Sequence, residues 1–515
     1  MFRFPLIDRL PFSSTGANPA SPRRPGVPRR LIGLCGGILA FGGMLMMSPP
    51  DGMGLAAWHA AALAALMAIW WLSEAIPIAA TALLPVALAP LLSINTVETI
   101  TPHYANPLLF MFLGGFVIAL AMERWNLHQR IALLILARVG FRPASLVGGF
   151  IGATAFLSMW VSNTATATMM LPIALSLIHL LRDHDGMSLA GDDDNPAGKL
   201  SPPTRNLALS LLLGIAFGAS IGGVGTLIGT PPNALLAGYF AATHGIQIGF
   251  GQWMLIGVPF ATLLLLACWF LLTRVVYPLD DALPDAACKA LQDQIDGLGP
   301  MSRGERTVAI VFAVTASLWL LRPALQAVMP GIPLGDASIA MLAAVALFAI
   351  PVKARENLYI LDWKATIRLP WGVLLLVGGG LALGGMINDT GLAAWLAGNA
   401  GNLPDLPLIV QIGMIGLMVI LISHLTSNTA TAATFLPLVS AYALAEGIDP
   451  MLLAIPTALA ASCAFMLPVA TPPNAIVFGS GYLSVAEMVR AGFLINLCAL
   501  VLLVIVTLLI VPVLF

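Results

Sequence analysis

The feature that most constrains this chain is a polar pentapeptide set twice into apolar sequence. Ser162-Asn163-Thr164-Ala165-Thr166 recurs as Ser427-Asn428-Thr429-Ala430-Thr431, and each copy is followed at the same spacing by a proline, Pro172 and Pro437. Further on, each is followed by Thr-Pro-Pro-Asn-Ala, at Thr230 to Ala234 and at Thr471 to Ala475. A polar group in hydrocarbon is costly unless a partner satisfies it. Ser, Thr and Asn also glue membrane helices together, but gluing does not require two motifs in the same order in both halves. The paired order points to one site assembled from two halves.

Hydrophobic residues make up 59% of the 515 and charged residues only 9%; a soluble chain carries about a quarter charged. The chain reads as an all-α polytopic membrane protein. Its net charge of −1 gives no reason to expect a nucleic-acid partner. Cys35, Cys268, Cys288, Cys463 and Cys498 are scattered, show no metal-ligand spacing, and read as apolar helix residues. In the first thirty residues Arg3, Arg9, Arg23, Arg24, Arg29 and Arg30 stand against Asp8 alone. The apolar run from Leu31 continues into a membrane span, so no cleavable signal is expected. This stretch reads as a cytoplasmic basic tail, an organellar transit peptide being the other reading.

Apolar runs place spans near 31–48, 54–73, 77–92, 106–137, 253–276, 306–328, 334–351, 369–398 and 488–515. Between them lie hairpins at 145–181 and 408–445 and broken helices at 206–242 and 450–486. If each hairpin enters and leaves on one side, the chain makes about 11 crossings plus two re-entrant hairpins. With the N-terminus inside, Arg322 is then the only one of the 23 Lys and Arg residues left outside. If each hairpin stretch crosses instead, the cluster Lys353 to Arg368 falls on the wrong side. Leu113-Gly114-Gly115 through Met122 aligns with Val377-Gly378-Gly379 through Met386, and the two spans run in opposite directions in this topology. Inverted repeats with broken helices are characteristic of secondary transporters. The resulting division is a tail (1–30), a first transmembrane helix (31–53), a first inverted repeat (54–276), a cytoplasmic linker (277–305) and a second inverted repeat (306–515). The acidic insert 182–205 has no counterpart in the second half and reads as a solvated loop.

A hairpin tip at membrane depth exposes backbone, which survives only where it lines a cavity or meets a ligand. Free N–H groups at a helix N-terminus suit a carboxylate or sulfate. Hydroxyl and carbonyl oxygens suit a small hard cation. No Arg, Lys, Asp or Glu lies within the four motif segments, so helix dipoles and co-bound cations must offset an anion's charge. Gly223-Val224-Gly225 with Gly229 has the wrong spacing for a dinucleotide fingerprint and reads as helix packing. Glu74 reads as a helix-terminal glutamate. His424, one turn before the second Ser-Asn-Thr, reads either as a packed helix histidine or as a site-adjacent group titrating near neutral pH. The motifs hold no paired ionisable groups, which argues against an enzyme.

At these residues the sequence resembles the divalent anion/sodium symporter family over residues ~30–515. The resemblance rests on both Ser-Asn-Thr motifs, both Thr-Pro-Pro-Asn breaks, Trp70-Trp71-Leu72-Ser73-Glu74-Ala75-Ile76-Pro77 and Trp125-Asn126-Leu127. It implies eleven spans and two hairpins, a scaffold and a transport domain, a homodimer in the lipid membrane and an elevator-type movement. It further implies one sodium site at Ser158, Ser162, Asn163 and Gly229, and a second at Ser423, Ser427, Asn428 and Ala470. Substrate carboxylates would be held by Asn163, Thr164 and Thr230 and by Asn428, Thr429 and Thr471. Ser423 stands where the family pattern has threonine, and His424 where it has an acidic residue. The expected function is sodium-coupled symport of dicarboxylates (succinate, malate and fumarate class) in a bacterial inner membrane, with Na+ as the co-transported ion. A sodium-independent dicarboxylate exchanger, or a sulfate or citrate transporter of the same fold, is the alternative.

Overall fold

The computed structural model describes residues 27–140, 142–184, 200–279, 289, 292–293, 295–329, 331, 334–400 and 406–515. Most of the basic tail, most of the acidic insert, Cys288 and part of the linker lie outside the described residues. The apolar runs satisfy their backbones as α-helices, the default in an apolar medium. In the first half these are α1 (Val27–Met46), α2 (Leu55–Ser73), α3 (Ile78–Thr81), α4 (Leu84–Leu88), α5 (Val97–Ile100), α6 (Pro107–Arg124), α7 (Leu127–Val139), α8 (Pro143–Ser158), α9 (Asn163–His184), α10 (Pro202–Gly223), α11 (Pro231–Thr243) and α12 (Phe250–Phe270). In the second half they are α13 (Arg303–Val328), α14 (Asp336–Ala349), α15 (Trp371–Asp389), α16 (Leu392–Ala400), α17 (Leu408–Ser423), α18 (Asn428–Ala445), α19 (Met451–Ala461), α20 (Pro472–Phe478) and α21 (Val485–Leu514). Among the described residues, eight helices are long and apolar enough to cross a membrane.

Three expected spans are interrupted, each for a local reason. The run 77–92 forms only the short α3 and α4, because Pro85 has no N–H to continue the α3 ladder. The run 106–137 breaks at Asn126, which adopts a left-handed conformation (φ 54°) between α6 and α7. The Trp125 indole beside it donates to Ile360 O (3.0 Å), and its ring lies against Gly304, where a Cβ would fall 2.0 Å from it. The run 369–398 breaks at Gly391, with φ 76°. Glu74 closes α2 in the left-handed region, its N–H bonded to Trp70 O, as a helix-terminal residue does. A two-stranded antiparallel ribbon, β1 (Pro351–Lys353) with β2 (Leu358–Tyr359), is the one β element among the described residues, pairing Pro351 with Tyr359.

Small residues let the helices approach closely. A Cβ on Gly114 would meet the Ala340 backbone at 2.6 Å, which sets α6 hard against α14. One on Gly222 would meet Ala155 O at 2.3 Å, which does the same for α10 and α8. Helix α10 is buried continuously from Leu207 to Gly223 and forms the centre of the molecule. The halves interlock around it: α11 lies against α18, α20 against α9, and α10 against α20. Phe217 on α10 meets Phe465 from the second half edge-on, with ring centroids 5.4 Å apart.

Two polar clusters fasten the periphery. Arg130 donates through Nε to Glu305 Oε1 (2.9 Å), through Nη1 to Gly299 O (3.0 Å) and through Nη2 to Leu298 O (2.9 Å). Glu305 also closes a capping box with Ser302 at the start of α13. In the turn after α11, His244 Nε2 lies 3.1 Å from Ser440 Oγ on α18.

Candidate functional site

Helices α8 and α9 form the first hairpin, with its tip at Met159 to Ser162. Ser162 begins α9: its carbonyl accepts the Thr166 N–H (3.0 Å) and its Oγ accepts the Ala165 N–H (3.2 Å). Ser158, fully buried at the end of α8, donates to Ala219 O (2.7 Å). Its Oγ lies 2.6 Å from the Asn163 amide. The same terminal atom of Asn163 lies 3.2 Å from Ala219 O and 3.2 Å from Gly229 O. A nitrogen at this point has two hydrogens to give to the three neighbouring oxygens. An oxygen there completes a cluster of four oxygens, the donor set of a hard cation.

The loop between α10 and α11 supplies the rest of this half. Pro231 at the first turn of α11 costs no hydrogen bond. Asn233 turns its amide back, donating to Thr226 O (2.7 Å) and Val224 O (3.1 Å). Thr226 Oγ1 donates to Met159 O at the hairpin tip (2.5 Å) and accepts the Gly229 N–H (3.1 Å). Trp253 Nε1 donates to Val224 O (2.9 Å). Gly223, which the sequence marks only as helix packing, and Gly229, which the resemblance places in the first sodium site, press against the site. A Cβ on Gly223 would fall 2.6 Å from Asn163 Oδ1, and one on Gly229 would fall 2.3 Å from Gly223 O.

The second half repeats this framework. Ser423, fully buried at the end of α17, donates to Ala461 O (2.6 Å), and its Oγ lies 2.9 Å from Asn428 Oδ1. Ser427 precedes α18, and its carbonyl accepts the Thr431 N–H (2.9 Å). Asn474 donates to Leu467 O (3.0 Å) and Ala464 O (3.2 Å), the counterparts of the bond from Asn233 to Thr226 O and of its longer contact with Gly223 O (3.4 Å). His424 is buried, with Nδ1 2.7 Å from Ile420 O and Nε2 3.1 Å from both Met466 N and Asn496 Nδ2.

Of the residues marked in the sequence, the structure brings Ser158, Asn163 and Gly229 together, and Ser423 with Asn428. Ser162 and Ser427 use their carbonyls inside α9 and α18. The Ala470 N–H donates to Leu467 O (3.1 Å) within its loop. Thr164 and Thr429 sit in the first turns of α9 and α18, the former exposed and the latter buried. Thr230 and Thr471, both buried, begin α11 and α20. All four threonines therefore lie at helix N-termini, where N–H groups and the dipole favour an anion. Sequence reasoning does not reach Thr226, the Ala219 and Ala461 carbonyls, or the inward turn of Asn233 and Asn474. The Thr-Pro-Pro-Asn motif marks those two asparagines by position but not by orientation. At the far end of α11, burial holds the His244 imidazole below its ordinary pKa, partly opposed by the nearby Asp449 carboxylate.

The model of the family described as "Sodium:sulfate symporter transmembrane region" matches residues 29–515. The sodium-dependent dicarboxylate transporter SdcS of Staphylococcus aureus (strain USA300) is 39% identical over 493 residues, 95% of this chain and 93% of that protein. SdcS of strain MRSA252 is 40% identical over the same length, with the same shares covered. The Alcanivorax borkumensis YdaH transporter superposes with a TM-score of 0.55 at 14% identity, over 81% of this chain and 88% of its own. Neisseria gonorrhoeae MtrF does so with 0.56 at 12% identity, over 90% of this chain and 97% of its own. At such identities the likeness is one of fold. The duplicated polar framework and the match along nearly the whole chain lead to one conclusion: this protein belongs to the sodium:sulfate symporter family of integral membrane transporters.

Proposed function

We propose that this chain moves dicarboxylates of the succinate, malate and fumarate class across the membrane by symport with sodium. The observation that carries the reading is the oxygen cluster of Ser158, Asn163, Ala219 and Gly229, with its counterpart at Ser423, Asn428 and Ala461. Sodium is the co-transported ion. Ser158, Ser162, Asn163 and Gly229 form its first site, and Ser423, Ser427, Asn428 and Ala470 its second. Asn163, Thr164 and Thr230 take one carboxylate, and Asn428, Thr429 and Thr471 the other. No charged residue lies in these segments. The dianion is therefore held by N-terminal N–H groups and by sodium bound beside it.

The architecture proposed with this function has two inverted repeats and about 11 spans plus two re-entrant hairpins. The two hairpins and their broken helices form the moving body of an elevator. The repeated order of hairpin, buried helix, loop and Pro-led helix supports the repeats. The mutual contacts of α11 with α18 and of α20 with α9 support a single body. The protein is placed in a bacterial inner membrane as a homodimer, with the N-terminus in the cytoplasm. Helix α13, where Ile310, Val314, Leu320 and Leu321 are exposed, is left for lipid or a second copy.

Sulfate remains a second reading because the family description names it and because backbone N–H groups suit it equally well. Uptake of labelled succinate, malate, fumarate, citrate and sulfate into proteoliposomes under an inward sodium gradient separates the two. Accumulation of the dicarboxylates, undiminished by excess sulfate, is expected. Accumulation of sulfate in preference to them would replace the dicarboxylate reading.

A further inference from the structure

The two halves of the site match at the serine, at both asparagines and at the loop carbonyls, but they differ in what holds the loop to the hairpin tip. In the first half Thr226 does this: its hydroxyl donates to Met159 O (2.5 Å) and accepts the Gly229 N–H (3.1 Å). Thr226 and Leu467 are counterparts, since each gives its carbonyl to the motif asparagine, Asn233 or Asn474. Leu467 has no hydroxyl, so the second loop lacks that tie. Met159 and His424 are also counterparts, each following the buried serine. At His424 the missing tie is supplied from the hairpin side, by the ring.

We propose that His424 is the positioning residue of the second sodium site, performing through its imidazole the task that Thr226 performs in the first. The inference rests on the symport reading above. The ring's partners fix its form. Ile420 O only accepts, so Nδ1 carries the hydrogen; the Met466 N–H only donates, so Nε2 presents its lone pair. His424 is thus a neutral imidazole with both nitrogens engaged, 3% exposed. It joins three pieces: the end of α17, the loop from Ser462 to Thr471, and, through Asn496 Nδ2 at 3.1 Å, helix α21. That loop carries Ala470 and leads into Thr471, so fixing Met466 fixes the carbonyl side of the second site. Ser423, the preceding residue, meanwhile donates to Ala461 O and keeps its Oγ 2.9 Å from Asn428 Oδ1. A carboxylate at this position accepts the Met466 N–H but has no hydrogen to give Ile420 O. The imidazole serves both at once without placing a charge beside the cation.

The test compares His424→Leu, which keeps the bulk and removes both polar atoms, with His424→Gln, whose side-chain oxygen offers an acceptor to Met466. Uptake is measured in proteoliposomes against sodium concentration. His424→Leu is expected to raise half-saturating sodium about tenfold, with uptake at saturating sodium within about twofold of wild type. His424→Gln is expected to restore the wild-type sodium dependence to within about twofold. Loss of maximal uptake with unchanged sodium dependence, or no difference between the two variants, would overturn the proposal. A second readout does not depend on the transport reading. Cys463 lies in the same loop, 1% exposed, with its Sγ donating to Leu459 O (3.2 Å). With the other cysteines replaced, maleimide labelling of Cys463 should quicken about tenfold in His424→Leu and stay slow in His424→Gln. Equal, slow labelling in both would show that His424 does not hold the loop. If wild-type uptake ignores sodium, the symport reading fails, and the labelling alone decides whether His424 is a positioning residue.

Discussion

Asn233 and Asn474 occupy the same place in two different loops, and each turns its amide nitrogen back onto the loop that precedes its own helix. Asn233 donates to Thr226 O and Val224 O at 2.7 and 3.1 Å, and Asn474 donates to Leu467 O and Ala464 O at 3.0 and 3.2 Å. Both are fully buried. These bonds give the irregular backbone between the broken helices a single shape, which a cation site made of carbonyls requires. Replacing Asn233 or Asn474 by Asp keeps the outline and removes the donor. Each lost bond is worth about 1 kcal/mol, and the loop carbonyls lose their partners as well. Uptake should fall at least about tenfold in either variant while the protein still elutes as a single species. Near-normal uptake in both would show that the loops are held by something else.

Ser158 and Ser423 each join a hairpin to the buried helix beside it, through Ala219 O and Ala461 O. Ser158→Ala and Ser423→Ala each remove one proposed sodium-ligand hydroxyl without touching the threonines placed on the anion. The dependence of uptake on sodium should move to higher concentration, by about tenfold, for a loss of about 1.4 kcal/mol. Half-saturating dicarboxylate at saturating sodium should stay near wild type. A sodium titration of each variant checks both halves of the statement.

Arg130 and Glu305 form a nearly buried pair, with side chains 11% exposed on each side and bonded at 2.9 Å. Removing one member strands the other charge, at a cost of about 3–5 kcal/mol. Arg130→Met should lower the thermal unfolding midpoint of the detergent-solubilised protein markedly. The double variant with Glu305→Met should recover a large part of that loss. If the single and double variants unfold at the same temperature, the pair is not what fastens α7 to the start of α13.

His244 gives a pH dependence with a definite sign. Its folded-state pKa is depressed from 6.5, chiefly by burial, with Asp449 acting in the opposite sense. A depressed histidine favours the folded state above the unfolded pKa. That contribution is lost as pH falls below about 6.5 toward the folded value, because the unfolded chain then binds the extra proton. His244→Gln should therefore flatten part of the decline in thermal stability between neutral pH and about pH 5. An unchanged slope would remove His244 from the account.

The helical membrane class and the helix breaks within 145–181, 206–242, 408–445 and 450–486 were legible in the sequence, because long apolar runs and repeated prolines act locally. The breaks at Asn126 and Gly391 were not. The runs 106–137 and 369–398 read as single spans because apolar sequence resumes on either side, although polar residues crowd both breaks: Glu123, Arg124, Asn126, His128, Gln129 and Arg130 at the first, Asn388, Asp389 and Thr390 at the second. Asn126 is fixed by a left-handed turn beside Trp125, whose ring rests on Gly304 far along the chain. Within the site, Asn163 and Asn428 were marked by their repetition, and Ser158 and Ser423 by the resemblance to the symporter family. Thr226 and His424 escape that logic because they break the symmetry: a hydroxyl on the loop in one half is replaced by a ring on the hairpin in the other. A search for repeated residues overlooks a repeated task performed by different chemistry.

The most direct test of the central claim is uptake of labelled succinate by proteoliposomes, with external sodium titrated and then replaced by choline. If sodium completes a site that has no fixed positive charge, uptake requires sodium. Half-saturating succinate then falls as sodium rises, and half-saturating sodium falls with succinate, reflecting one shared coupling between the two bound species. Uptake that is indifferent to choline, but driven by a dicarboxylate trapped inside the vesicle, would contradict the account and make the protein an exchanger.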